Sequence, residues 1–149
     1  MTDEQKKDII KYLNRAFKLT KIKQRLEREY KQKLKEMDSI SVSCEEIKAS
    51  SIASKVENKA LDLVSLKKDI DLYNVKIEEV KREIACIIDK LEDDTLKNLL
   101  RLRYLEFRKW EDIMYILNYS RRNIFYKHNE ALKELNKILK DCTVLHSYM

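Results

Sequence analysis

No glycine and no proline occur anywhere in the 149 residues. Average usage of about 7% and 5% would supply roughly ten and seven. Glycine provides the positive-φ positions of tight hairpins, phosphate loops and nucleophile elbows. A chain without it has no ready way to build a Rossmann turn, a P-loop or a G-x-S-x-G elbow. Charged residues make up 39% and hydrophobic residues 44%, with a mean hydropathy of -0.59. That mixture suits amphipathic helices with solvated outer faces better than a sheet core covered on two sides. The expected fold class is all-α.

Cys44, Cys86 and Cys142 are odd in number and widely spaced, with no C-x-x-C and no histidine at ligand spacing. Neither a disulfide framework nor a metal site is indicated, and no cofactor is expected. Carboxylate pairs such as Glu78-Glu79 fall among lysines on helix surfaces. No combination of nucleophile, base and oxyanion donor is evident, so the chain does not read as an enzyme. The longest apolar runs, 84–88 and 113–117, are far short of the roughly 20 residues that span a bilayer. No signal-like segment opens the sequence, so a reducing cytoplasm is the expected location and no membrane partner is expected.

The charge is segregated. Residues 1–37 hold 12 Lys/Arg against 6 Asp/Glu, 38–93 hold 9 against 13, and 94–149 hold 11 against 7. Thr2 and Gln5 form a capping-box pattern that predicts a helix start. Beyond it Ile9, Leu13, Ala16, Leu19, Ile22, Leu26, Tyr30, Leu34 and Met37 follow at steps of three and four. Residues 39–54 contain six serines, whose hydroxyls compete for helical backbone bonds, and are expected to form a loop. Then Leu63, Leu66, Ile70, Tyr73, Ile77, Val80, Ile84, Ile87 and Leu91 repeat as 3, 4, 3, 4 without a slip, a coiled-coil pattern. One helix cannot bury that seam alone. The expected arrangement for 1–93 is therefore a long antiparallel helical hairpin, and the 63–91 seam could also take a second chain as a homo-oligomer. The basic run 18–35 reads first as a solvated face or as partner to the acidic second helix.

From residue 94 the pattern shortens into three segments, 95–105, 110–117 and 120–139, the spacing of a helix-turn-helix domain over 94–149. Asp93 and Asp94 can cap the first helix. Trp110, Ile113, Met114 and Leu117 give the second one buried face. Asn118 is the residue best able to take a left-handed conformation in the turn, and Ser120 is placed to cap the third helix. In that helix Ile124, His128, Ala131, Leu135 and Ile138 should face inward, with His128 a hydrogen-bonded structural imidazole and Trp110 a core residue. The opposite face begins with Arg121, Arg122, Phe125, Tyr126 and Asn129. Arginine and asparagine on the first turns match guanine and adenine edges, and a helix N-terminus favours phosphate.

The segment LRLRYLEFRKWEDIMYILNYSRRNIFYKHNEALKEL at 100–135 resembles region four of bacterial sigma factors, and more closely the ArpU/RinA group of phage-encoded transcriptional regulators. The shared features are a leucine-rich Arg-Tyr segment, a Trp-Glu-x-Ile helix, a Tyr-Ser turn and an aromatic helix ending His-x-x-Ala-Leu. The group's pattern has glycine where this chain has Phe107-Arg108 and again at Asn118, a Ser or Thr cap at Lys109, and an apolar residue at Lys127. The resemblance implies a regulator acting at phage or prophage promoters, with DNA contact on Arg121, Arg122, Asn123, Phe125 and Tyr126.

The expectation is a sequence-specific regulator that binds double-stranded DNA with the helix starting at Ser120. Lys97, Arg101, Arg103 and Lys109 are its candidates for phosphate positioning. Two alternatives stand beside it. One is a sigma-like factor that touches DNA only with RNA polymerase. The other is a coiled-coil adaptor or phage accessory protein with no DNA binding of its own.

Overall fold

Local capping and periodicity determine where the helices begin and end. The computed structural model describes residues 1–42 and 49–141, with side chains described over 1–38 and 54–141. In chain order the elements are α1 (Asp3–Leu13), α2 (Arg15–Val42), α3 (Ala49–Ile88), α4 (Asp94–Leu100), a π-helical turn (Arg101–Leu105), α5 (Trp110–Leu117) and α6 (Arg121–Asp141). Among the described residues there is no strand. No helix among them is long and apolar enough to cross a membrane.

The capping box at the start of α1 is complete: Gln5 N–H donates to Thr2 Oγ1 at 3.3 Å, and Thr2 N–H donates to Gln5 Oε1 at 3.0 Å. The stripe beginning at Ile9 is divided between two helices at Asn14. There ψ relaxes to 0°, yet Asn14 N–H still reaches Ile10 O at 2.9 Å and Lys18 N–H reaches Asn14 O at 3.0 Å. The interruption at Asn14 leaves the hydrogen-bond ladder continuous across it. The serine-rich stretch departs from expectation. Residues 39–42 and 49–54 are helical, and 43–48 lie outside the described residues. Serine's local competition for backbone bonds amounts to tenths of a kcal/mol per residue, which helix propagation from either side readily outweighs.

By internal contacts the chain divides into Leu19–Ile77 and a second unit made of Met1–Lys18 with Glu78–Met149. This differs from a boundary at 93/94, and the reason is packing. Ile9 and Leu13 of α1 and Ile84 and Ile88 of α3 are buried in the same core as Leu99, Leu132 and Leu135. In that unit α1 and α4 both lie against α6. Tyr12 Oη donates to Glu83 at 3.0 Å and Arg15 meets the same carboxylate at 2.7 Å, which ties α1 and the start of α2 to α3.

In the 19–77 unit, Leu63, Leu66, Ile70 and Ile77 are buried. Lys33 pairs with Asp62 at 3.5 Å, and Lys59 pairs with Glu36 at 3.4 Å, so moving forward along α2 means moving backward along α3. Part of the basic run 18–35 does therefore meet the acidic helix. Ile84, Ile87 and Leu91 of the other unit are buried as well. Most of the 63–91 seam is thus covered within one chain, with Tyr73 and Val80 still partly exposed.

Candidate nucleic-acid interface

Two residues other than glycine bracket α5 with left-handed backbone, Phe107 and Asn118, each at φ 58°. These are the two places where the resemblance calls for glycine. Asn118 tolerates the conformation because its short polar side chain offsets part of the Cβ clash. Phe107 has no such compensation and is held from outside. Its ring packs edge-on against Phe17 at 5.5 Å, and the Lys81 ammonium lies 5.1 Å from its centroid. After Asn118, Tyr119 N–H reaches back to Met114 O at 3.1 Å and closes the end of α5. Ser120 then caps α6: its hydroxyl accepts from Asn123 N–H at 3.3 Å and its carbonyl from Ile124 N–H at 2.9 Å. Lys109 stands at the N-cap of α5 without a side-chain cap.

The approach to α5 is organised by Arg103. Its guanidinium lies 4.6 Å from the Trp110 ring centroid and donates to Arg108 O at 3.0 Å. The preceding π turn, marked by Glu106 N–H to Arg101 O at 3.0 Å, turns Tyr104 into the core. Tyr104 Oη and His128 Nε2 are 2.7 Å apart, and Trp110 stacks edge-on against His128 at 4.9 Å. Burial, then the charges of Lys6 and Arg103, push the His128 imidazole down to about 4. His128 is thus a neutral structural group, as its place on the inward stripe suggests. Trp110 is half-buried and packs against the core.

Ile124, His128, Ala131, Leu132 and Leu135 of α6 are buried, while Arg121, Arg122, Asn123 and Tyr126 are exposed at its start. No acid lies in the first turn of α6. Arg121 is nevertheless shared with Glu111 of α5 at 3.4 Å, both side chains being about two-thirds exposed. Phe125 lies against Trp110, centroids 5.1 Å apart, and is 39% exposed, so it forms an aromatic wall as much as a free contact.

The phosphate candidates are less uniform than the base-reading ones. Lys109 is exposed. Lys97 is only one-quarter exposed and pairs with Asp94 at 3.9 Å. Arg101 pairs with Asp89. Arg103 is occupied by Trp110 and the Arg108 carbonyl. Lys127, at a position that is apolar in the resembling group, is partly exposed and pairs with Glu130 at 3.6 Å. Sequence reading passed over Tyr115 and Ile116, which are 89% and 50% exposed. The signal was present: once Trp110, Ile113 and Leu117 face inward, the helical period leaves 115 and 116 outside.

A family described as "Protein of unknown function (DUF1492)" matches residues 41–136, more than half of the chain. No curated protein and no solved structure matches.

Proposed function

We propose, for a chain that belongs to the DUF1492 family, that it is a sequence-specific DNA-binding transcriptional regulator whose 94–141 segment works as a helix-turn-helix. In this reading α6 is the helix that enters the major groove. The observation that carries it is the division of α6. One face is locked into the core by Ile124, His128 and Ala131. The other presents Arg121, Arg122, Asn123 and Tyr126 on the first two turns, just after a cap and with no acid in the first turn. Arg122 and Asn123 have the donor geometry for base edges, and Lys109 is the freest of the phosphate candidates. The likeness of residues 100–135 to the ArpU/RinA group supports the same reading and adds phage or prophage promoters as the place of action. Residues 1–18 and 78–93 complete the core that supports the reader in this reading, and the 19–77 unit is left for partner contact.

A second reading is favoured by one specific surface. Exposed Tyr115 and Ile116 share α5 with exposed Glu111 and Asp112, an apolar and acidic combination that repels phosphate but suits a protein partner. A sigma-like factor that reads DNA only when held by RNA polymerase would use α5 in that way.

The test is recovery and sequencing of genomic fragments bound by the purified protein at two salt concentrations, for wild type and an Arg121→Ala/Arg122→Ala double variant. Enrichment of one site that the variant loses is the expected result. Enrichment that appears only when core polymerase is added selects the second reading. Absence of binding at low salt, with or without polymerase, overturns both.

A further inference from the structure

α3 carries two apolar stripes over residues 61–77, which lie about 180° apart at roughly 100° per residue. Leu63, Leu66, Ile70 and Ile77 form the first and are buried within the chain. Leu61, Val64, Leu72 and Val75 form the second and are 63, 54, 53 and 56% exposed. An ordinary amphipathic helix keeps the face opposite its core polar. Large apolar residues recurring at helical spacing on the exposed face instead mark a contact surface. The α2 ion pairs at Lys59 and Asp62 lie toward the first stripe, so they leave the second uncovered.

The charges within the second stripe identify what covers it. Leu61, Val64, Lys68, Asp71 and Val75 follow at steps of 3, 4, 3 and 4, a heptad with one cation and one anion at its centre. Two copies of α3 running antiparallel about a two-fold axis between positions 69 and 70 set Val64 against Val75 of the partner subunit. The same axis sets Lys68 against Asp71 of the partner subunit, and each pairing occurs twice. A parallel alignment would instead oppose Lys68 to Lys68 and Asp71 to Asp71. Lys67 reaches Asp71 within the helix at 4.0 Å, but both side chains remain more than 60% exposed, so this contact does not remove Asp71 from the surface. We propose that this stripe is the docking site for a second copy of the chain, with the two α3 helices antiparallel and the Lys68–Asp71 pairs fixing their register. The proposal is independent of whether α6 reads DNA.

Sedimentation equilibrium on the full chain tests it, with far-UV circular dichroism to confirm that each variant keeps its helix content. Wild type is expected to dimerise, and Val64→Glu/Val75→Glu to be monomeric. Lys68→Asp alone puts two carboxylates opposite each other, and Asp71→Lys alone puts two ammonium groups opposite each other. Each should weaken self-association by about tenfold or more. An equimolar mixture of these two single variants should associate as a heterodimer, and Lys68→Asp/Asp71→Lys in one chain should restore the homodimer. A monomeric wild type, or a dimer indifferent to Val64→Glu/Val75→Glu, overturns the surface. Failure of the mixture to associate more tightly than either variant alone overturns the antiparallel register.

Discussion

Tyr104 Oη and His128 Nε2 meet at 2.7 Å inside the core that α4, the π turn and α6 share. Burial pushes the phenol up to about 12, against the lowering influence of Arg103, while burial and the cations Lys6 and Arg103 push the imidazole down to about 4. The pair is neutral at pH 7, and its stabilising contribution depends on remaining so.

Stability should therefore fall on acidification through a defined window. The unfolded His128 takes a proton near its ordinary 6.5, whereas the folded one resists until about 4. Between those values the unfolded state binds more protons, so stability is complete above about 6.5 and declines as pH drops toward 4. The size of the loss is on the order of 3 kcal/mol. Urea unfolding of wild type and His128→Gln from pH 7 to pH 4 measures it, because carboxylate contributions common to both cancel. A constant difference between the two proteins across the window would show that His128 does not titrate in this way.

At the turn between α5 and α6, Asn118→Gly should leave stability unchanged or raise it slightly. Asn118→Ala should lower it by about 1 kcal/mol, since alanine at φ 58° keeps the Cβ clash and loses the polar side chain. Chemical denaturation of both variants gives the comparison. Equal effects from glycine and alanine would mean that the side chain of Asn118, and not its backbone, holds the turn.

If α6 reads base edges, Arg122→Ala should cost about 1–3 kcal/mol of discrimination between the selected site and random duplex. Fluorescence anisotropy titrations on both DNAs separate the possibilities. The same loss on each would assign Arg122 to a phosphate.

Glu111 offers a test in the opposite direction. It shares Arg121 at 3.4 Å and adds negative charge beside the proposed DNA surface. Glu111→Gln should tighten binding to any duplex at low salt, by no more than about 1 kcal/mol because both partners are well exposed. The gain should shrink as salt rises. Weaker binding by this variant would mean that Glu111 orients Arg121 productively.

What could be read from the sequence was whatever depends on neighbours along the chain. The capping box at Thr2 and Gln5, the Asp93 cap, the left-handed Asn118 and the Ser120 cap each involve residues within a few positions, and all are found in the structure. The inward stripe of α6 followed from period alone. What sequence reading missed depends on contacts across long separations. The left-handed Phe107 is supported by Phe17 and Lys81, and no local signal announces that support. Arg103 looks like a free cation until Trp110 is brought under it, and Arg101 until it meets Asp89. The grouping of residues 1–18 with 94–141 likewise required knowing that Ile9 and Leu13 share a core with Leu132 and Leu135.

The wide turn at Arg101–Leu105 bears on how such a chain can vary. With neither glycine nor proline to redirect its helices, the extra residue held in that turn determines which way the chain faces afterwards. Removing one residue there would rotate the following side chains by about 100°, carrying Arg103 off Trp110 and Tyr104 off His128 together. Between α4 and α5, then, the geometry constrains chain length more tightly than side-chain identity. Relatives that share this architecture should differ over 101–105 by exchanging side chains, and almost never by insertion or deletion.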